Sequence, residues 1–141
     1  MRMLGLDFGL KRIGVAVSDE GGQLAQPLRV IPAGSSIQVM EELGRIIGEY
    51  SPVTVVMGDP RAPDGSEGSL APKVRELAEM IEKKFGLKVV LRDERYTSFE
   101  AGERLKEAGD HNWRSRKGKL DQAAAAIILQ DYLDDPREGK S

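Results

Sequence analysis

The stretch MLGLDFGLKRIGVAVSD, residues 3–19, has the pattern of a β-hairpin with a carboxylate inside its first strand. Apolar residues from Met3 to Phe8 and from Ile13 to Ser18 predict two strands. The Gly9–Arg12 segment between them is typical of a turn. Asp7 falls within the first strand, where burial of a lone carboxylate is unfavourable by several kcal/mol unless a partner or a metal ion offsets it.

The residues beside Asp7 indicate what surrounds this carboxylate. Gly5 and Gly9 stand two positions before and after Asp7, so all three share one face of the strand. We therefore expect a face without neighbouring side chains, with room for an ion or a phosphate. The simpler interpretation is that Asp7 caps the turn or pairs with Lys11 or Arg12.

The rest of the chain alternates between strand and helix patterns. Gly, Pro and Ser residues end most of these segments, and a Thr-x-x-Glu capping box opens one helix. Strands are predicted at Leu24–Ile31, Val53–Met57 and Leu87–Leu91, and helices at Ile37–Tyr50, Leu70–Phe85, Thr97–Ala108 and Leu120–Leu133. This order predicts an α/β fold with a mixed sheet of about five strands, a three-strand antiparallel meander plus parallel strands, flanked by helices.

Composition limits the class of protein. The 141 residues are enough for one domain, predicted at residues 1–134 with a flexible tail at 135–141. The net charge of -2 excludes a basic field over the whole surface. The absence of cysteine excludes disulfides, thiolate zinc sites and a cysteine nucleophile. No apolar run has the length of a membrane span, and no secretory signal is evident, so we expect a cytoplasmic protein without a membrane partner.

Two further carboxylates adjoin the same predicted sheet. Glu94 follows the last predicted strand, and Asp121 stands at the start of the last predicted helix. Because ligands gather beyond strand ends in such sheets, Asp7, Glu94 and Asp121 form a candidate site. Each acid also has a simpler interpretation: Glu94 as a loop residue paired with Arg95, and Asp121 as an acid favoured in a first helical turn.

A site with three carboxylates requires a cation, because the acids would otherwise repel one another. Oxygen ligands favour Mg²⁺ or Mn²⁺ over zinc, and this chain has no cysteine and one histidine. Such ions activate water and stabilise the leaving oxygen of a displacement at phosphorus. Phosphodiester hydrolysis is therefore the expected chemistry.

A basic segment leads into Asp121 and could bind the phosphates of a nucleic acid. Trp113 in this segment offers a surface for an unpaired base, or it packs against the core. Ordinary surface charge is the alternative for the cations, and His111 is expected to be a bystander. The candidate nucleic-acid-binding residues are Lys11, Arg12, Arg61, Arg95, Trp113, Arg114, Arg116, Lys117 and Lys119.

Four ordered motifs resemble the YqgF family, also called RuvX or Holliday junction resolvases, which has a ribonuclease H-like fold. They are GLDFGLKRIGVAVSD, GDPRAPDGSEG, DERYTSFEA and LDQAAAAIILQDYL, and the resemblance runs from Met3 to about Leu133. It implies that Asp7, Glu94 and Asp121 are catalytic, metal-binding acids. It also implies a metal-dependent endonuclease, a hydrolase that acts on structured RNA in 5′-end maturation of pre-16S ribosomal RNA, or on four-way DNA junctions.

The sequence departs from the family pattern at two positions. Asp59 stands where the family usually has leucine, and we interpret it as a turn residue rather than an accessory acid. Ala124 occupies the position of a further acid found in many ribonuclease H-like nucleases, so either one or two metal ions remain possible.

Two other functions fit parts of the sequence. The incomplete acidic set is compatible with a non-catalytic nucleic-acid or transcription adaptor. The Asp-x-Gly hairpin also resembles the phosphate loop of sugar kinases and Hsp70-like ATPases, but those proteins need two such domains around the nucleotide. A junction resolvase would require a homodimer, because it cuts two strands symmetrically.

Overall fold

The computed structural model describes residues 1–9, 11–59, 70–93 and 113–135, with the backbone alone at Asp59, Asp93 and 113–122. The predicted strands and two of the predicted helices appear within a few residues of their expected bounds. The elements are β1 (Met3–Phe8), β2 (Arg12–Ser18), β3 (Ala25–Pro32), α1 (Ser36–Tyr50), β4 (Thr54–Asp59), α2 (Ala71–Phe85), β5 (Lys88–Asp93) and α3 (Trp113–Asp134).

The strands form one mixed sheet in the order β3-β2-β1-β4-β5. The strands β1, β2 and β3 pair antiparallel as a meander, whereas β4 is parallel to both β1 and β5. The parallel pairs are possible because α1 and α2 provide the long crossover connections. The predicted fold class is confirmed.

Strand alternation divides the core between the two faces of the sheet. Leu4 and Leu6 of β1 belong to a core cluster with buried residues of α1 and α2. Ala16 of β2 and Val56 of β4 face the other way, in a second cluster formed largely by α3. The sheet therefore lies between α1 and α2 on one face and α3 on the other. Odd-numbered positions of β1 belong to the α3 face.

The bounds of α1 and α2 follow from local signals in the sequence. The Ser35 hydroxyl accepts a hydrogen bond from the N–H of Gln38 at the beginning of α1, at 3.3 Å. Ser51 ends α1 in the left-handed conformation, directly before Pro52. Gly86 ends α2 with a φ of 68°, where a side chain would be strained. No described helix is both long enough and apolar enough to cross a membrane.

The predicted beginning of the last helix is wrong. The helix begins at Trp113 rather than at Leu120, so the predicted polar loop supplies its first two turns. Asp135, the first residue of the predicted tail, is 9% exposed, and its Oδ2 accepts a hydrogen bond from Nη1 of Arg92 at 3.1 Å. The predicted helix at 97–108 lies outside the described residues, and so do residues 136–141 of the tail.

Candidate active site

Asp7 lies on the α3 face of the sheet, half-buried, near the carboxyl end of β1. On β2 its paired neighbour is Gly14. On β4 the parallel register pairs Leu6 with Met57. The next residue of each strand is Asp7 and Gly58, so these two lie side by side. Both neighbouring glycines are buried. Asp7 is therefore flanked on both adjacent strands by residues that contribute no side chain to the α3 face.

The open face expected at Gly5 is instead filled by α3. A Cβ atom on Gly5 would lie 2.7 Å from Cβ of Leu129 and 2.8 Å from the carbonyl oxygen of Ala125. The close approach of α3 to β1 thus removes the space around Gly5. A Cβ on Gly9 would lie 2.9 Å from the carbonyl oxygen of Arg12, so Gly9 is required by the turn.

Asp121 belongs to α3 on the same side of the sheet as Asp7. Its backbone lies four residues, about one helical turn, before Ala125. Asp7 is two residues along β1 from Gly5, which contacts Ala125. Glu94 lies outside the described residues and directly follows Asp93, the last residue of β5. Within the described residues, no three His, Cys, Asp or Glu side chains form a group suited to a metal, and the three-carboxylate site stays a prediction.

Two of the predicted nucleic-acid-binding residues lie in the β1–β2 turn, at the same end of β1 as Asp7. The N–H of Gly9 donates to the carbonyl of Arg12 at 2.8 Å, and the N–H of Ala33 donates to the carbonyl of Lys11 at 2.9 Å. Lys11 is exposed and Arg12 is half-buried. Since Gly14 is opposite Asp7, Arg12 is a diagonal neighbour of Asp7 on the α3 face.

The remaining basic candidates are placed only in part. Arg61 and Arg95 lie outside the described residues, as does His111. The other candidates belong to the first two turns of α3 instead of the predicted loop, and only their backbone is described. They are Trp113, Arg114, Arg116, Lys117 and Lys119.

Asp59 is the last residue of β4, where it pairs in register with Asp93 of β5. Its interpretation as a turn residue is therefore wrong. The parallel pairing with β5 continues two positions beyond the predicted end of the strand at Met57, which carries Gly58 and Asp59 into the sheet.

Arg92 is a residue of this region that the sequence analysis did not select. It pairs in register with Gly58, which is the β4 neighbour of Asp7. Val90, two residues earlier, packs in the α3 core cluster, so Arg92 is on the same face. The strand pattern of residues 88–93 could have placed Arg92 on this face, but the ion pair with Asp135 could not be inferred from it.

A cavity lies on the other face of the sheet, between α1 and α2. Its volume is about 520 Å³, and its lining includes Ile37, Met40, Met80, Lys83 and Lys84. Asp7 does not face this cavity, because it belongs to the α3 face. The predicted site on the Asp7 side of the sheet is therefore separate from this cavity.

Comparison with known proteins identifies the family. The family model described as "RuvX: Holliday junction resolvase" matches residues 1–135. The chain belongs to the RuvX family. The resemblance found in the sequence motifs is thereby confirmed, and the protein is a member of a family of nucleases.

Relatives of this RuvX protein match it over nearly their whole length. A protein of Lactobacillus delbrueckii subsp. bulgaricus is 44% identical over 138 residues, with 95% of this chain and 96% of the relative covered. One of Thermoanaerobacter pseudethanolicus is 40% identical over 134 residues, with the same coverage. Both bear the name "Putative pre-16S rRNA nuclease".

Solved structures show the same fold at low sequence identity. The fowlpox virus resolvase, crystallised with Holliday junction DNA, has a TM-score of 0.58 at 12% identity, with 95% of this chain and 97% of that chain covered. The Thermus thermophilus RuvC structure has a TM-score of 0.54 at 15% identity, with 94% of both chains covered. This RuvX protein therefore has the fold of RuvC-type resolvases.

Proposed function

We propose that this RuvX protein is a divalent-metal-dependent endonuclease that hydrolyses phosphodiester bonds in the 5′-end maturation of pre-16S ribosomal RNA. The observation that carries the proposal is the half-buried carboxylate of Asp7 between Gly14 and Gly58. The RNA substrate comes from the names of full-length relatives at 40–44% identity.

The surroundings of Asp7 suit a hard cation. The positions beside Asp7 on both neighbouring strands are glycines, so no side chain at either position stands between its carboxylate and a bound ion. Asp7, Glu94 and Asp121 would hold Mg²⁺ or Mn²⁺, since all three are oxygen ligands. When bound, the metal supplies an activated water and stabilises the charge on the leaving oxygen.

The cations of the chain bind and orient the nucleic-acid backbone in this proposal. Arg12 is held on the Asp7 face by the β1–β2 pairing. Arg114 and Arg116 belong to the first turn of α3, which contains no acid. Positive charge at a helix N-terminus opposes the helix dipole, and a bound phosphate would offset that repulsion. Phosphate binding at this end of α3 would bring the nucleic-acid backbone close to the helix that carries Asp121.

A cleavage assay with matched variants tests the proposal. A pre-16S ribosomal RNA fragment and a four-way DNA junction are offered, with Mg²⁺ or Mn²⁺, to the wild type, Asp7→Asn and Glu49→Gln. Glu49 is exposed on α1, on the other face of the sheet, so Glu49→Gln controls for the loss of one carboxylate. We expect the wild type and Glu49→Gln to cleave the RNA, and Asp7→Asn to lose about 1,000-fold or more in rate, because metal ligation supplies several kcal/mol.

The outcomes separate the alternatives. Full activity in folded Asp7→Asn would overturn the assignment of the site. Cleavage of the junction alone would indicate a Holliday junction resolvase, which the family description and the fold both favour. A junction resolvase must act as a two-fold dimer, so a monomer bound to the junction would count against this function. RNA binding without metal uptake or cleavage would indicate the adaptor.

A further inference from the structure

Arg92 and Asp135 form the most buried of the ion pairs seen among the described residues. Their side chains are 22% and 8% exposed, and Nη1 of Arg92 lies 3.1 Å from Oδ2 of Asp135. In the pair formed by Arg45 and Glu42, by contrast, the arginine side chain is 67% exposed. The Arg92–Asp135 pair links the end of β5 to the residue that follows α3.

Arg92 and Asp7 occupy one row across the sheet. Arg92 pairs with Gly58 of β4, and Gly58 is the β4 neighbour of Asp7 in the parallel register. Both residues belong to the α3 face, and the glycine between them has no side chain. Two strand spacings, about 10 Å, separate their Cα positions. A cation and a carboxylate thus lie on either side of Gly58 on the α3 face.

Stability alone does not account for this ion pair. Burying two charges carries a desolvation penalty that their attraction barely offsets, and apolar residues of similar size are often at least as stabilising. What the pair does provide is orientation, because the carboxylate of Asp135 fixes one of the longest and most flexible side chains. A pre-oriented guanidinium binds a phosphate at a lower entropic penalty.

We propose that Arg92, oriented by Asp135, binds a phosphate of the nucleic-acid backbone at this end of the sheet, on the same face as Asp7. The planar guanidinium presents its N–H donors as a fork that matches phosphate oxygens. The site takes a phosphodiester of RNA or DNA as its ligand. This inference rests on the proposed function for the identity of the ligand class, and it adds a phosphate-binding residue on β5 to that site.

The test measures RNA binding as a function of salt, in EDTA so that no cleavage occurs. The main variant combines Arg92→Met with Asp135→Leu, which removes both charges and leaves neither of them buried alone. Each phosphate contact contributes about one unit to the slope of log K against log salt, so we expect the slope of this variant to fall by roughly one. We also expect affinity for the pre-16S fragment to fall by about tenfold.

Three further variants separate phosphate binding from a structural role. Arg45→Met removes an arginine from α1, on the other face, and should leave the slope unchanged. Asp135→Asn keeps the charge of Arg92 but weakens its orientation, so affinity should fall several-fold while the slope stays near the wild-type value. Arg92→Lys keeps both the charge and the ion pair but loses the fork, and it should also bind several-fold more weakly.

The outcomes bear on this inference separately from the proposed function. A folded double variant with the affinity and slope of the wild type overturns the role of Arg92. If the double variant does not fold, the affinity of Arg92→Lys is used instead. An affinity equal to that of the wild type would overturn phosphate binding by Arg92. If the wild type does not cleave but the double variant still shows the expected smaller salt slope, the nuclease proposal is overturned and the phosphate site at Arg92 is retained. A wild type that binds neither RNA nor junction DNA removes both.

Discussion

The side-chain amide of Gln130 on α3 forms hydrogen bonds with the backbone of Ala25, the first residue of β3, and of Gln23 just before it. Its Oε1 accepts a hydrogen bond from the N–H of Ala25 at 2.9 Å, and its Nε2 donates to the carbonyl of Gln23 at 2.9 Å. Nε2 also lies 3.1 Å from Oδ1 of Asp134. One amide therefore fixes the helix that carries Asp121 to an edge of the sheet.

Replacement of Gln130 by leucine should destabilise the protein. The variant removes one exposed and one part-buried hydrogen bond, to the carbonyl of Gln23 and the N–H of Ala25, and should lower the free energy of unfolding by about 1 kcal/mol. Gln38→Leu is the control, because Gln38 is an exposed helical glutamine whose bond to Ser35 uses its backbone N–H. Urea denaturation measures both variants, and equal midpoints for the wild type and Gln130→Leu would contradict the role of this side chain.

Addition of one methyl group at Gly5 should separate α3 from the sheet. The new Cβ would overlap Leu129 and a backbone oxygen, so we expect Gly5→Ala to lower the free energy of unfolding by about 1–3 kcal/mol and to reduce cleavage. A methyl group on Gly48 in α1 would instead enter open space, and Gly48→Ala should stabilise by about 1 kcal/mol. Thermal denaturation of the wild type and of both variants tests this prediction. An unchanged Tm in Gly5→Ala would show that α3 can shift to accept the methyl group.

The carboxylate of Asp19 should make stability depend on pH in the acid range. It accepts hydrogen bonds from the N–H groups of Gln23 and Leu24 at 2.8 and 3.2 Å, and these bonds lower the pKa of Asp19 below its ordinary value. Because the folded-state pKa is the lower one, this contribution is present above the unfolded-state pKa and is lost as pH falls through the folded-state pKa.

Asp19→Asn removes that titration and is the variant to compare with the wild type. Denaturation midpoints measured at several pH values should show a smaller loss of stability on acidification in Asp19→Asn than in the wild type. Parallel curves for the two proteins would show that Asp19 does not contribute.

Divalent metal should stabilise the wild type through Asp7. A ligand that binds only the folded protein raises its stability by about 2.7 kcal/mol at a concentration 100 times Kd. We expect Mn²⁺ or Mg²⁺ to raise the Tm of the wild type, and to have little effect on Asp7→Asn. An equal rise in both proteins would place the metal elsewhere.

Local patterns in the sequence predicted most of the fold. The apolar alternation of β1 and β2 and the caps at Ser51 and Gly86 are properties of neighbouring residues, so they can be read without knowledge of the tertiary structure. The beginning of α3 could not be read in this way. Residues 113–119 carry basic residues instead of an apolar stripe, and the signals that end a loop are absent there.

The candidate site was predictable only where it depends on one strand. The position of Asp7 on a face shared with Gly5 follows from strand alternation. That Gly14 and Gly58 flank Asp7 depends on the pairing register, and that α3 covers Gly5 depends on tertiary packing. The contact of Arg92 with Asp135 joins residues 43 positions apart, which no local pattern encodes.

The contact between Gly5 and Leu129 also has a consequence for the order of folding. It joins the first strand of the sheet to the last described helix, so this interface forms only after residue 129 has been synthesised. Domains fold as units while the chain emerges from the ribosome, and contacts between distant parts of a sequence form slowly. The proposed site, which combines Asp7 of β1 with Asp121 of α3, would therefore assemble only after α3 has been synthesised.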